Sequence, residues 1–272
     1  MSKQTPEKTK ISTHTIVGKK QLGEKITCLT AYDWLLASIL DKAGIDLVLV
    51  GDSASMVFAG HDTTLPITMD QMIYHTQCVS RGVSHALLIS DMPFLSYQTS
   101  LDTAITNAGR FLKEGGAEGV KVEGGEAIAE TVHKLVSIGI PVMGHLGLTP
   151  QSIKQFGGYR LQGKEETAAK RMIQDAIALE QAGAFAIVLE KIPADLAQEI
   201  TKSIQIPTIG IGAGPGCDGQ ILVTHDMLGL FEEFKPKFVR QYTDMGQAIR
   251  TAVEQYIQDI RQGTFPSEKE SY

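Results

Sequence analysis

Five polar side chains follow short apolar runs in this sequence, and four of the five are acidic. The runs are LVLV, LLIS, VKV, VMG and IVL, and the polar residues after them are Asp52 (after one glycine), Asp91, Glu123, His145 and Glu190. An unbroken apolar run is typical of a parallel strand that is covered on both faces. Because ligands bind where such strands end, the pattern predicts one active site at the carboxyl ends of a sheet.

Asp52 and Asp91 are the first pair expected to converge at this site. Two carboxylates in a cleft repel each other, and burial raises their pKa values further, so a cation between them would stabilise the pair. Oxygen ligands supplemented by water suit Mg²⁺. Either acid could instead cap the following helix or pair with a lysine. With Glu123 at a third strand end, we expect Asp52, Asp91 and Glu123 to form a metal site.

Lys121 and His145 are candidate substrate-binding residues. Lys121 lies two residues before Glu123, so on a strand both side chains point to the same side. A protonated lysine there could hold a carboxylate or an enolate oxygen, or it could form a plain internal salt bridge. His145 could donate, as a neutral imidazole, to a carbonyl oxygen, and an ordinary hydrogen-bonded histidine is the alternative.

Glu190 is the candidate general base. It ends the apolar run IVL, and the following Lys191 should point to the opposite side, so we expect a partly desolvated carboxylate with a raised pKa. The alternative is an acid that leads into the helix after Pro193. Neither glycine-rich segment predicts nucleotide binding: 210–216 does not complete the dinucleotide pattern, and 158–164 is followed by Glu165 where a phosphate loop needs Ser or Thr.

Eight strands that alternate with helices must position these residues. We place them near residues 26–29, 47–50, 87–90, 119–122, 141–144, 186–189, 207–211 and 221–224. This alternation predicts the α/β class and a single (β/α)8 TIM barrel, which takes about 250 residues. A doubly wound sheet is the alternative. A short N-terminal helix at 12–20 should plug the amino-terminal mouth. We expect a disordered tail over 1–11, the barrel catalytic domain over 12–262 and a C-terminal tail over 263–272.

Composition excludes several classes of function. The 25 Lys and Arg against 31 Asp and Glu leave a net charge of −6, which argues against a nucleic-acid partner. The sequence contains no apolar run long enough to span a membrane and no signal-peptide pattern, so we expect a cytoplasmic protein without a membrane partner. Three widely spaced cysteines, without a C-x-x-C motif, predict neither disulfides nor a zinc site.

Longer motifs give a family resemblance that runs from about residue 26 to residue 240. They include LTAYD, VGDSASM, GHDTTLPIT, VKVEGGE, GHLGLTPQS, FGGYRLQG and IPTIGIGAG. In these motifs the sequence resembles the ketopantoate hydroxymethyltransferases, within the phosphoenolpyruvate-binding TIM-barrel superfamily. Ala54 and Ser55 stand where that family more often has Leu and Gly.

The resemblance implies an activity and a set of roles. The expected reaction transfers a hydroxymethyl group from 5,10-methylenetetrahydrofolate to 3-methyl-2-oxobutanoate, through an enolate that one Mg²⁺ per subunit stabilises, and gives 2-dehydropantoate for pantothenate synthesis. Carried over by position, Asp52, Asp91 and Glu123 resemble the metal set, with Glu123 acting directly or through water. Asp52, Ser53, Asp91, Lys121 and His145 resemble the substrate contacts, and Glu190 resembles the base. Relatives are homo-oligomers, commonly decamers.

Two other functions use similar residues. A carbon–carbon lyase or mutase of the same superfamily would also form a metal-bound enolate, but it needs a group placed to protonate the departing enolate. A non-catalytic barrel could simply bind a 2-oxo acid. An unpaired, partly buried Glu190 would give a pure binder no advantage, so this residue favours an enzyme.

Overall fold

Eight parallel strands close into a barrel in this computed structural model, which describes residues 9–231 and 235–272. The strands are β1 (Ile26–Thr30), β2 (Leu47–Val50), β3 (Leu87–Asp91), β4 (Gly119–Glu123), β5 (Val142–Gly147), β6 (Ala186–Glu190), β7 (Thr208–Ile211) and β8 (Gly219–Leu222). Each strand pairs with the next one along the chain, and β8 pairs with β1. This last pairing confirms the TIM barrel and excludes the open, doubly wound sheet.

Helices separate the strands. The described α-helices are α1 (Thr13–Leu22), α2 (Trp34–Ala43), α3 (Ala54–Val57), α4 (Met69–Ser80), α5 (Leu101–Arg110), α6 (Ala129–Ser137), α7 (Ile153–Phe156), α8 (Glu166–Gln181), α9 (Ala194–Ser203), α10 (Thr224–Met227) and α11 (Met245–Gln262). A π-helical turn spans Phe111–Gly115, and 3-10 turns span Glu126–Ile128, Pro150–Ser152 and Glu268–Glu270. On α4, Met72, Thr76 and Val79 are buried along one face, as the helical period predicts.

Strand residues alternate between the barrel interior and the helix layer, as the two-residue period of a strand requires. One buried apolar cluster fills the interior and includes Ile26, Leu47, Leu49 and Ile89. The residues between them, such as Val48, pack outward with the helices in a second cluster. Full burial of one such side chain contributes about 1.5–3 kcal/mol, so both layers stabilise the fold.

Helix α1 packs against the amino ends of the strands. Its Ile16 is fully buried in the interior cluster with Ile26 and Leu47, which begin β1 and β2. Lys19 Nζ lies 2.7 Å from Asp46 Oδ1, and Lys20 Nζ lies 3.1 Å from Asp218 Oδ2. The short N-terminal helix is therefore present at the end of the barrel predicted for it.

Two strands, β5 and β8, differ from the sequence prediction by more than one residue at a boundary. β5 extends to Gly147, three residues further than expected, because Leu146 and Gly147 continue the pairing with β6. β8 begins at Gly219, two residues earlier than expected, because the backbones of Gly219 and Ile26 pair closely. A Cβ atom at Gly219 would lie 2.5 Å from the Ile26 carbonyl oxygen, so only a glycine lets β8 approach β1 this closely. In the sequence, this glycine resembled a loop residue.

The chain divides into two compact units, Met1–Val223 and Thr224–Tyr272. All eight strands lie in the first unit, and the assignment of 224–262 to the barrel domain stays a prediction. The predicted tail over 1–11 lies partly outside the described residues, but Ile11 is buried and its N–H donates to the His85 carbonyl oxygen at 2.8 Å. Residues 263–272 carry a 3-10 turn over Glu268–Glu270 capped by Ser267, and their assignment as a C-terminal tail stays a prediction.

Membrane-spanning helices were sought over the same described ranges. None of the helices there is both long enough and apolar enough to cross a membrane.

Candidate active site

The charged side chains predicted from the sequence meet inside the carboxyl-terminal end of the barrel. Asp91, His145 and Glu190 each lie two residues after an interior apolar residue, so strand alternation directs them inward. Lys121 pairs in register with Asp91, and Glu123 pairs in register with His145. Neighbouring strands therefore deliver these groups to one place.

Asp52 and Asp91 are both almost fully buried and lie next to each other. The backbone N–H of Asp52 donates to Asp91 Oδ2 at 3.0 Å. Gly51 leaves room for the Ser53 hydroxyl, since a Cβ atom there would lie 2.6 Å from Ser53 Oγ. Ser53 Oγ lies 2.8 Å from the Tyr32 hydroxyl oxygen, so the hydroxyl predicted to contact substrate is already oriented by a buried tyrosine.

The turn after Asp52 contains the two residues that depart from the family pattern. Ala54 and Ser55 are fully buried at the start of α3. Ser55 Oγ donates to the Thr63 carbonyl oxygen at 2.8 Å, a contact that a glycine could not make. Serine in place of glycine at position 55 thus adds a hydrogen bond between this turn and the following loop. Neither Ala54 nor Ser55 replaces a charged group of the site.

Lys121 is the cation at the centre of the acidic groups. Its Nζ lies 2.9 Å from Asp91 Oδ1, 3.8 Å from Glu123 Oε1 and 3.1 Å from His145 Nδ1. Burial acts to lower the pKa of Lys121, but the charges of Asp91, Glu123 and Asp52 outweigh it and raise the pKa. Lys121 therefore carries a positive charge, as the sequence predicts.

His145 lies between two carboxylates. Its Nδ1 is 3.4 Å from Glu123 Oε1, and its Nε2 is 3.2 Å from Glu190 Oε2. Burial and the nearby Lys121 act to lower the pKa of His145, whereas the contacts with Glu123 and Glu190 raise it to about 9. The raised pKa favours a protonated ring in the free site, and the neutral imidazole that we expected to donate to a carbonyl oxygen stays a prediction.

Glu190 ends β6 with its side chain 16% exposed. The contact with His145 corrects the expectation that this glutamate is isolated, because β5 and β6 are adjacent and both residues face the interior. Gly147 lets the two strands meet, since a Cβ atom there would lie 2.2 Å from the Glu190 carbonyl oxygen. The next residue, Lys191, has φ 49°, a conformation that non-glycine residues rarely adopt and that often marks a functional site.

The balance of charge fits a divalent cation. Four carboxylates (Asp52, Asp91, Glu123 and Glu190) face two cationic groups, so the cluster has two excess negative charges when every group is ionised. Burial and the neighbouring carboxylates raise the pKa of Asp52 well above its usual range, and burial also raises the pKa of Asp91. A cation would relieve this cost of ionisation.

The oxygen donors of the cluster set the kind of cation it could hold. Asp91 Oδ1 is buried and paired with Lys121 Nζ at 2.9 Å, and Glu123 Oε1 is buried 3.4 Å from His145 Nδ1, so both oxygens already face nitrogen atoms of the cluster. Over residues 9–231 and 235–272, no three His, Cys, Asp or Glu side chains are grouped closely enough to enclose a metal ion. The arrangement thus suits a cation held by the aspartates with several water or substrate oxygens, which is how Mg²⁺ usually binds.

Burial acts to raise the pKa of Glu123, but the hydrogen bond and charge of His145, together with Lys121, lower it. Glu123 therefore remains ionised beside the two aspartates. It lies within the cluster, and its direct or water-mediated contact with a metal stays a prediction.

Four side chains that the sequence analysis did not single out border the site. Tyr32 contacts Ser53, and Gln151 donates to Asp52. Tyr97 contacts Gln151 and the Glu123 backbone. Tyr159 has a pKa that is raised by burial and by the charges of Glu190 and Asp52. None of them carries a charge, so the search for acids and bases passed over them. Tyr32, Gln151 and Tyr159 lie in the family motifs LTAYD, GHLGLTPQS and FGGYRLQG, so membership of these motifs could have identified them from the sequence.

Solved structures resemble this fold across almost the whole chain. Phosphonopyruvate hydrolase in complex with oxalate and Mg²⁺ aligns with a TM-score of 0.62 at 16% identity, over 96% of this chain and 93% of that one. The 2,3-dimethylmalate lyase of the PEP mutase/isocitrate lyase superfamily aligns with a TM-score of 0.61 at 16% identity, over 96% and 91% of the two chains. At this identity the likeness is one of fold.

Sequence relatives are much closer. The 3-methyl-2-oxobutanoate hydroxymethyltransferase of Syntrophus aciditrophicus (strain SB) is 56% identical over 263 residues, which cover 97% of each chain. The enzyme of the same name from Prosthecochloris aestuarii (strain DSM 271 / SK 413) is 57% identical over the full length of both chains. The family model for ketopantoate hydroxymethyltransferase matches residues 10–268. The chain belongs to the ketopantoate hydroxymethyltransferase family.

Proposed function

We propose that this hydroxymethyltransferase uses 5,10-methylenetetrahydrofolate and Mg²⁺ to convert 3-methyl-2-oxobutanoate into 2-dehydropantoate. The observation that carries the proposal is that His145 contacts Glu190 on one side and Lys121, the partner of Asp91, on the other, inside one end of the barrel. A cation-binding group and a separate carboxylate base are the two parts that enolate formation needs.

Asp52 and Asp91 would hold the cation, with Glu123 beside them directly or through water. Bound Mg²⁺ would draw electrons from the 2-oxo group and make the C3 proton of the oxo acid easier to remove. Lys121 would hold an oxygen of the substrate, because its protonated Nζ already lies among the acids that face the cation site. Ser53, oriented by Tyr32, would donate to a second substrate oxygen.

Glu190 would take the C3 proton. His145 Nε2 lies 3.2 Å from its Oε2 atom and would help to orient the carboxylate. The resulting enolate carbon would form a bond to the one-carbon unit, water would supply the hydroxyl oxygen, and both bonds from that unit to the two folate nitrogens would break. The C3 proton and one proton of the water would go to these nitrogens. Tetrahydrofolate leaves, so the reaction consumes one water molecule and needs no redox partner.

Three further features of the proposal come from the resemblance and the sequence. They are one Mg²⁺ per subunit, a homo-oligomer such as the decamers common among relatives, and a cytoplasmic location. Size measurement of the purified protein by light scattering would test the oligomer directly.

The test of the reaction is to supply Mg²⁺ with the two organic substrates together and singly. We expect tetrahydrofolate and 2-dehydropantoate to appear only when 3-methyl-2-oxobutanoate, methylenetetrahydrofolate and Mg²⁺ are all present. Tetrahydrofolate release that does not depend on the oxo acid, or no release at all, would contradict the proposal. Cleavage of a 2-hydroxy acid in the absence of folate would instead indicate the lyase alternative.

A further inference from the structure

One uncharged side chain joins three strand ends of the site. Gln151 lies in the turn after β5 and is 5% exposed. Its Nε2 donates to Asp52 Oδ2 at 3.0 Å and to the Met92 carbonyl oxygen at 2.9 Å, and its backbone N–H donates to Glu123 Oε2 at 2.9 Å. Gln151 therefore contacts Asp52 and Glu123 directly, and it also contacts Met92, the residue after Asp91.

The amide of Gln151 has no freedom to reverse. Its Oε1 accepts from the Tyr97 hydroxyl at 3.0 Å and from Gln98 Nε2 at 3.1 Å, while Nε2 faces the carboxylate of Asp52 and a carbonyl oxygen. Both amide hydrogens and both acceptor positions are thus in use, and a reversed amide would place donors against donors. The hydrogen-bond network fixes the side chain in one orientation.

Tyr97 holds this amide to the backbone of β4. Its buried hydroxyl accepts from the Glu123 N–H at 2.9 Å and lies 3.1 Å from the Glu123 carbonyl oxygen. Gln151 and Tyr97 together therefore tie the end of β2, which carries Asp52, to the end of β4, which carries Glu123. The distance between the two carboxylates is set by these contacts.

We infer that Gln151, held by Tyr97, is a positioning residue that fixes the carboxylates of the cation site and makes it selective for a small cation. The inference rests on the proposed function. Gln151 donates to Asp52 Oδ2 and Glu123 Oε2, which leaves the other oxygen of Asp52 to face a cation, whereas Glu123 Oε1 also faces His145 Nδ1 at 3.4 Å. The side-chain amide orients Asp52 and the backbone N–H orients Glu123, and because both donors are neutral they leave the negative charges in place.

Rigid spacing is the property that separates Mg²⁺ from Ca²⁺. Mg²⁺ requires nearly ideal octahedral geometry with short oxygen distances, whereas Ca²⁺ accepts more ligands in a flexible arrangement. Loss of the Gln151 contacts should therefore weaken Mg²⁺ binding more than Ca²⁺ binding. A change in the ratio of the two affinities would not follow from a general loss of folding.

Gln151→Met tests the inference because it keeps the chain length and the backbone N–H but removes the amide. Isothermal titration calorimetry of the full-length protein with each metal alone would give both affinities. We expect Mg²⁺ affinity to fall by about 10- to 100-fold, the usual effect of losing a group that orients metal ligands, and Ca²⁺ affinity to fall less. Gln77→Met is the matched control, since Gln77 donates to the Glu114 carbonyl oxygen on the protein surface and contacts neither carboxylate nor the Gln151 amide, and both affinities should stay unchanged.

Tyr97→Phe gives a second route if Gln151→Met does not fold, because it keeps the ring and removes only the hydroxyl. We expect the ratio of Mg²⁺ affinity to Ca²⁺ affinity to fall as in Gln151→Met, with a smaller loss of Mg²⁺ affinity. If wild-type protein binds Mg²⁺ and both variants keep its affinity and its Mg²⁺ to Ca²⁺ ratio, the inference is wrong and the proposed function stands. If the wild-type protein binds no Mg²⁺, both the proposed cation site and this inference are wrong.

Discussion

His145 Nε2 lies 3.2 Å from Glu190 Oε2, so the candidate base is paired with a cation before any substrate binds. The same ring reaches Glu123 Oε1 at 3.4 Å through Nδ1. His145 therefore links the group that would remove a proton to the group that faces the cation site. The two parts of the proposed chemistry share one imidazole.

This contact predicts a pH dependence of stability in the metal-free protein. The pKa of His145 is raised from 6.5 to about 9, so its charged form is favoured by folding. The stabilisation should be fully present below pH 6.5 and should be lost as the pH rises through about 9. We expect the free energy of unfolding of wild type, relative to His145→Gln, to fall over that interval in urea titrations with EDTA. A difference independent of pH would show that His145 is neutral in the folded protein.

Asp52→Asn should make the metal-free protein more stable. Burial, Asp91 and Glu123 raise the pKa of Asp52, so its ionised form is unfavourable in the fold at neutral pH. Asparagine keeps an oxygen that can accept from Gln151 and removes the charge. Calorimetry with EDTA should therefore give a higher melting temperature for Asp52→Asn than for wild type.

The same substitution should remove the stabilisation that Mg²⁺ gives to wild type, because a ligand that binds only the folded state raises its apparent stability. Asp33→Asn, at the N-cap of α2 where Asp33 accepts from the Leu36 N–H, is a control for loss of an aspartate outside the cluster. A wild-type response to Mg²⁺ in Asp52→Asn would remove Asp52 from the metal set.

Lys121→Met separates two roles for this lysine. As the partner of Asp91 at 2.9 Å, Lys121 contributes to stability, and loss of one partner of a buried ion pair typically costs about 3–5 kcal/mol. As a substrate contact, it should also contribute about 1.5–3 kcal/mol to the binding of 3-methyl-2-oxobutanoate, which is typical of a charged hydrogen bond. Calorimetric titration of folded Lys121→Met with the oxo acid decides between them, because equal affinity would leave only the structural ion pair.

Much of the fold followed from local patterns in the sequence. Apolar runs such as LVLV mark strands buried on both faces, and an acid at the end of such a run faces inward when it lies an even number of residues from an interior position. This is why Asp91, Lys121 and Glu190 could be assigned to one site before the structure was known. The boundary of β8 was missed because Gly219 resembles a loop residue until its close approach to β1 is seen.

The electrostatics of the site could not be predicted in the same way. The charge state of His145 depends on Glu123 and Glu190, which are far from it in sequence and adjacent only because β4, β5 and β6 are neighbours. Gln151 was missed for a related reason, since its function lies in hydrogen bonds across the barrel end and its residue type has no chemistry of its own. Contacts between strands decide both properties.

Glu190 as the base is the central claim, and C3 deuterium exchange tests it most directly. Glu190→Gln keeps the shape of the side chain but cannot accept a proton, so Mg²⁺ and 3-methyl-2-oxobutanoate should still bind. Exchange of the C3 hydrogen in D₂O, followed by NMR without folate, should slow by about 10²- to 10⁴-fold. Glu199→Gln, on α9, is a control for the same change of residue type outside the cluster and should exchange at the wild-type rate. Exchange at the wild-type rate in Glu190→Gln would contradict the account and assign proton removal to another group.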